Sequence, residues 1–157
     1  MSASQIKPSG LYYEEFEAGM EFHHALTRTI TEMDNIMFCA MTHNPQPLHL
    51  DEEYSKNTMY GQRIVNSLFT LGLVIGVTVA DTTLGTTLGN LGMTDIRFKN
   101  PVFHGDTIRV VTKIVEKRES KSRPNEGIVT FEHFGYNQRD EEIAYVTRTG
   151  LMKKRPA

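Results

Sequence analysis

The stretch Ile64 to Asp81, IVNSLFTLGLVIGVTVAD, is the longest apolar run in the chain and constrains the fold most. Its most apolar part, Leu68 to Ala80, falls well short of the roughly 20 residues that a membrane-spanning helix needs, and no basic flank anchors either end. A helix that is apolar on every side must instead be buried on every side, so the rest of the chain has to wrap it. The β-branched Val74, Ile75, Val77 and Val79 make strand a local competitor. Helix is the better reading, because strands of this length are uncommon and Asn66 or Ser67 supplies a cap at the start. Gly72 and Gly76 cost about 1 kcal/mol each against alanine, and their spacing places both on one helix face. The expectation is that a sheet or a partner backbone comes close there.

A chain of 157 residues suits one domain with a sizeable core. Residues 1–10, punctuated by Pro8 and Gly10, read as a flexible lead-in, and 11–157 as the single domain. The formal net charge of −2 gives no reason to expect nucleic acid or an anionic membrane as partner. Cys39 is the single cysteine and cannot form an internal disulfide, and no Cys/His spacing suggests a zinc site. The N-terminus lacks the basic segment and apolar core of a secretory signal. A reducing, cytoplasmic setting is therefore expected.

Glu21 to Ile30 reads as a strand from its alternation and its threonines. Thr31 then caps a helix in which Met33, Ile36, Met37, Ala40 and Met41 recur at helical spacing, a pattern that predicts a core-facing stripe. Pro45 and Pro47 end that helix and make 42–51 a rigid loop. Asp51 to Asn57 predicts a short helix, and a loop with Gly61 leads into the apolar run. Beyond Asp81 the pattern turns to strands: 85–100, interrupted by Gly85, Gly89 and Gly92, then 106–118, 127–137 and 143–152. The glycines mark bends and close approach to the helix; no Gly-Lys-Ser/Thr follows them, so a phosphate loop is excluded. Charged tips at 116–127 and 138–142 join the last three strands. One early strand, a helical insertion, a long apolar helix and consecutive strands predict an α+β fold with antiparallel pairing.

With these elements in order, NPQPLHLD, IVNSLFTLGL and DIRFKNPVFHGDTI resemble the MaoC-like hydratases and dehydratases of the hot-dog fold, from about Leu11 to Lys153. The resemblance implies a curved antiparallel sheet around a central helix, homodimers or dimers of dimers, and reversible hydration of a 2-enoyl-CoA thioester. CoA would enter as part of the substrate, with no separate cofactor. The chain departs from the family twice. In the family pattern D-x-N-P-L-H, His49 matches the histidine, but Asn44 stands at the Asp and Gln46 at the Asn. The family helix begins His-Gly, where this chain has Asn66-Ser67. Together NPQPLH and VNSLFTLGL look like the branch acting on branched C4–C5 dicarboxylyl-CoA thioesters of mesaconyl, itaconyl or methylmalyl type.

Hydrating an enoyl thioester requires a group to take a proton from water, a proton for C2, and donors for the charge on the thioester oxygen. An imidazole both takes and gives protons near neutral pH, which makes His49 the candidate acid–base residue. Asn44 cannot act as a base but can orient water; Asp51 or Glu52 is an alternative carboxylate. The Ser67 N–H, at the start of the apolar helix, is the candidate oxyanion donor, with Asn66 and Leu68 beside it. Gln46, Arg63 and Arg97 are candidate substrate-binding residues, the arginines for a carboxylate or a CoA phosphate. Lys117, Arg118, Lys121 and Arg123 lie on a tip that is more often simply solvated. His43 and His104 are weaker candidates, and His23, His24 and His133 read as structural. A hot-dog thioesterase and a non-catalytic acyl-CoA binder are the competing functions, because fold alone does not separate them.

Overall fold

The computed structural model describes residues 9–156. Most of the expected lead-in, residues 1–8, lies outside the described residues. Ser9 and Gly10 are fastened: Ser9 Oγ donates to the Ala80 carbonyl (3.0 Å) and Gly10 N–H to the Leu84 carbonyl (3.0 Å). A Cβ at Gly10 would lie 2.5 Å from the Leu84 nitrogen, so glycine is what lets the chain pass there.

After a single 3-10 turn at Tyr13–Glu15, the elements are β1 (Glu21–His23), β2 (Arg28–Thr29), α1 (Glu32–Met41), α2 (Pro47–Leu50), α3 (Glu52–Lys56), α4 (Ser67–Thr82), β3 (Thr87–Arg97), β4 (Thr107–Glu119), β5 (Glu126–Tyr136) and β6 (Glu142–Lys153). All pairings are antiparallel, in the order β1-β4-β5-β6-β3, with β2 also on β4. This is the predicted α+β architecture, a sheet packed around one long helix. The expected strand 21–30 is two short pieces, because 24–27 leave the ladder. The expected rigid loop 42–51 contains the one-turn helix α2, with Pro47 at its first position, where a missing N–H costs nothing.

The apolar run forms α4, but the helix starts later than the run does. Ile64 makes an isolated bridge to Phe103, Val65 N–H donates to the Val102 carbonyl, and helical geometry begins at Ser67. Val74 and Val77 are buried against Ile108, Val110, Ile143 and Ala144 of the sheet. Each such burial contributes about 1.5–3 kcal/mol. The expected close approach at Gly72 and Gly76 is not made within the protomer, since a Cβ at either would meet nothing within 4 Å. Close approach occurs instead at Gly135 on β5, where a Cβ would lie 2.5 Å from Val74. Gly89 and Gly92 sit at register shifts of β3 rather than against the helix.

Alternation along β4 sends Ile108, Val110, Thr112 and Ile114 inward, and Thr112 divides the interior. On one side lies the α4 cluster; on the other, Tyr13, Phe16, Ile114, Val129, Phe131 and Met152. Between them runs a buried chain of hydrogen bonds: Arg148 Nε to His133 Nε2 (3.0 Å), His133 Nδ1 to Thr112 Oγ1 (2.8 Å), Thr112 Oγ1 to His24 Nε2 (2.8 Å) and His24 Nδ1 to Asp81 Oδ2 (2.9 Å). Arginine can only donate, so it sets the direction of every proton in the chain, ending on the Asp81 carboxylate. His24 and His133 thus have the structural role expected of them, whereas His23 is exposed and pairs with Glu21.

Burial, then the charge of Arg148, hold the His133 ring well below the ordinary histidine range. The unfolded chain therefore takes up this proton first as pH falls below about 6.5. Stability from this group is complete above that pH and is lost below it, by at most about 1.4 kcal/mol per pH unit. Denaturant titrations of the wild type and His133→Gln between pH 7.5 and 5 should show a shallower acid decline in the variant. An unchanged slope would remove His133 as its source.

Candidate active site

Thr31 and Asp34 make a reciprocal cap on α1: the Asp34 N–H donates to Thr31 Oγ1 (3.3 Å) and the Thr31 N–H to Asp34 Oδ2 (2.8 Å). The helix turns Asn35 and Cys39 inward, and these are its only buried residues. The predicted core stripe is on the opposite face: Met33, Met37 and Met41 are 65%, 48% and 69% exposed, and Ile36 is exposed too. The sequence pattern thus identified the apolar face correctly but not its direction.

His49 closes α2 and is buried. Its Nδ1 lies 2.9 Å from the Ile64 carbonyl. A carbonyl only accepts, so the proton is on Nδ1 and Nε2 is left as a free acceptor, with no partner among the described residues. The same segment delivers the start of α4. Asn66 caps the helix, its Oδ1 accepting the Leu68 N–H at 2.9 Å, and its Nδ2 lies 3.8 Å from Cys39 Sγ. The Asn66 side chain is therefore occupied as a cap. The Ser67 N–H meets no acceptor among the described residues, and Ser67 lines a cavity of about 230 Å³ with Met59, Tyr60, Phe98 and Asn100. Leu68 is exposed.

Asn44 opens elsewhere. It lines a second cavity of about 380 Å³ with Ile36, Cys39, His43 and Leu50. Its Oδ1 accepts the Gln46 N–H (3.0 Å), which leaves both hydrogens of its amide nitrogen uncommitted. His43 has a left-handed backbone (φ 53°) beside it, and Gln46 is exposed. Asn44 and Ser67 line different cavities, and His49 lines neither of them.

The alternative carboxylates have other partners. Asp51 Oδ1 accepts the Tyr54 N–H (3.0 Å) and caps α3. Glu52 lies 2.8 Å from Arg63 Nε, and that hydrogen bond holds its carboxyl below the usual range. Arg63 also pairs with Glu32 at 2.6 Å, so this guanidinium, only 15% exposed, ties α1 and α3 to the approach of α4. Arg97 is exposed, over the Tyr145 ring and 3.9 Å from Asp95, and does not itself line the first cavity, which its neighbour Phe98 does. Lys117, Arg118, Lys121 and Arg123 lie at the far end of β4 from Ser67. Across thirteen residues that strand spans about 40 Å. His104 is the functional neighbour that sequence reasoning undervalued: its Nε2 lies 3.1 Å from Asn35 Nδ2.

Residues 15–137 match the profile of the MaoC like domain family, most of the chain. The chain belongs to that family. This MaoC-like chain is 30% identical to β-methylmalyl-CoA dehydratase of Chloroflexus aurantiacus, over 93% of its own length and 41% of that protein. It is 28% identical to mesaconyl-CoA hydratase of Cereibacter sphaeroides, over 94% and 42%. Among solved structures, Rv0216 of Mycobacterium tuberculosis, described as a double hot-dog fold, superposes with a TM-score of 0.85 at 20% identity, covering 96% of this chain and 46% of that one. The fold is the hot-dog fold. The chain spans less than half the length of each of these three proteins.

The cap makes a direct test of how α4 is started. Asn66→Ala removes the acceptor for the Leu68 N–H and should cost about 1 kcal/mol, whereas Asn66→Asp keeps it. Urea midpoints that move equally for both variants would show that the cap does not set the stability of this helix start.

Proposed function

We propose that this chain catalyses reversible hydration of a 2-enoyl-CoA thioester to the 3-hydroxyacyl-CoA. The supporting observation is His49 of α2, held with its proton on Nδ1 and its Nε2 free by a carbonyl, that of Ile64, on the segment that leads into the uncommitted Ser67 N–H. In the forward direction Nε2 accepts a proton from water as the oxygen bonds to C3. Negative charge moves through C2 to the thioester oxygen and meets the Ser67 N–H at the positive end of α4. The imidazolium then returns its proton to C2, so water is added and no other reactant is consumed. CoA is part of the substrate, and the reaction needs no separate cofactor. Asn44, with two free amide hydrogens, orients water or substrate.

Branched C4–C5 dicarboxylyl-CoA thioesters of mesaconyl or methylmalyl type are the favoured substrates. Support comes from the names of the relatives similar to this chain over more than nine-tenths of its length. Arg97 is then the candidate for the second carboxylate, because Arg63 already serves Glu32 and Glu52.

The purified protein should consume the conjugated thioester absorbance of mesaconyl-CoA or crotonyl-CoA without releasing thiol. Thiol release would instead indicate a thioesterase, and silence in both readouts a binder. His49→Ala should lower kcat by about 10²-fold or more, the usual contribution of a general base, while Asn44→Asp retains measurable turnover. Full activity in His49→Ala would overturn the assignment.

The working unit we propose is a homodimer, the second copy standing where the longer relatives have further chain. The open glycine face of α4, the exposed β3 and the methionine face of α1 are what it would cover. In size-exclusion chromatography with light scattering, Gly76→Leu should shift the protein toward the monomer mass, because a Cβ there meets nothing within 4 Å among the described residues. A stable dimer in this variant would place the interface elsewhere. Among the described residues no helix is long and apolar enough to cross a membrane.

A further inference from the structure

Asn35 is completely buried, and its single amide meets four groups from three segments. Its Oδ1 accepts the Asn66 N–H at 2.8 Å. Its Nδ2 faces the His49 carbonyl (3.2 Å), the Ile64 carbonyl (3.3 Å) and His104 Nε2 (3.1 Å). The orientation is not arbitrary: a backbone N–H requires the oxygen on its side, so the nitrogen must face the two carbonyls. Two hydrogens serve three acceptors and are therefore shared. The Ile64 carbonyl is the same one that takes the His49 Nδ1 proton, and Asn66 is the residue from which α4 starts.

We propose that Asn35 is a positioning residue of the His49 site, using one rigid amide to fix the base and the thioester-oxygen donor relative to each other. Its Nδ2 holds the carbonyl that selects the Nδ1-protonated form of His49. Its Oδ1 holds the peptide that aims the Ser67 N–H. A substitution that frees either side would misplace reacting groups without touching substrate. The proposal deepens the hydration reading and rests on it for the reaction itself, but not for the state of the His49 ring.

His104 is part of the arrangement. It must accept at Nε2, so it must be neutral. Burial, then the charge of Arg63, push its pKa down, against the opposing charges of Glu32 and Glu52. Protonation would set two donors face to face at 3.1 Å. The other titratable groups against the amide are His49 itself and the Cys39 thiol, 4.0 Å from Oδ1.

Two variants test the proposal. Asn35→Leu is close in volume and makes none of these bonds. It should lower kcat by about 10²-fold, the usual effect of a misplacement near 1 Å, with KM changed less than about threefold. Asn35→Asp keeps the shape and the acceptor but donates only when protonated. Its rate relative to wild type should be highest at acid pH and should fall as the new carboxyl ionises. Nitrogen-15 spectra of the histidine rings, recorded without substrate, should show His49 as a single Nδ1–H form in wild type and as a mixture in Asn35→Leu. Circular dichroism over the same pH range separates these effects from unfolding. An unchanged kcat together with an unchanged His49 ring spectrum overturns the proposal, as does loss of the native fold in both variants. A wild-type chain that shows the Nδ1–H form but hydrates no thioester overturns the hydration reading and leaves the positioning role standing.

Discussion

The rest of the molecule depends on how the three residues before α4 are held. Ile64 N–H donates to the Leu48 carbonyl, Val65 N–H to the Val102 carbonyl, and Asn66 N–H to Asn35. Each bond ties this segment to a different element: the α2 turn, the approach to β4, and α1. Backbone groups buried without partners cost too much to leave unmade, so a short extended piece inside the molecule must find partners on every side. It finds them on the elements that carry the candidate site. Folding the core and assembling the site are for this reason one event, and His49 is oriented by a carbonyl whose own position is set by the packing of α4.

The interior is not one uniform apolar mass. Arg148, His133 and Thr112 on the strands, with His24 and with Asp81 of α4, place a polar layer between two apolar clusters. The cost of burying these groups is met by pairing: each link donates and accepts in a single direction, from a guanidinium to a carboxylate. Burial still leaves its mark, pushing the Arg148 guanidinium down to about 10 and leaving its Nη2 without a hydrogen-bond partner among the described residues. Such a layer makes register expensive to change. Sliding β5 against β4 by one residue would set His133 opposite Val111 or Lys113 and Thr112 opposite Glu132 or Phe134, so that the hydroxyl–imidazole pair is lost either way.

Much of this was legible in the sequence, for identifiable physical reasons. The apolar run read best as a wrapped helix, alternation marked the half-buried strands after it, and Thr31 and Asn66 had the chemistry of caps and serve as caps. The direction of α1 was not legible. Methionines at helical spacing read as core, yet they point outward while Asn35 and Cys39 point in. Hydrophobic periodicity locates an apolar face but does not say which partner covers it. It also undervalues a polar residue that is buried because it completes a hydrogen-bond network. Arg63 shows a related limit: its charge suggested a ligand, and the fold adds Glu32 and Glu52, distant in sequence, as its partners. Nothing in local spacing announces a pairing that only the folded chain brings together.

The direction of α1 has a further cause, because hydrophobic periodicity does not say whether a face is covered within one protomer. The α4 face with Gly72 and Gly76 is bare, β3 exposes Leu88, Leu91, Met93 and Ile96, and α1 exposes its methionines. Soluble monomers seldom present so much apolar surface, and glycines in a helix are hard to account for when nothing approaches them. Similar proteins more than twice as long as the matched segment carry additional chain beyond it. In the homodimer proposed above, the second copy would cover the methionine face of α1, and its helical periodicity would then describe a core face shared between two polypeptides.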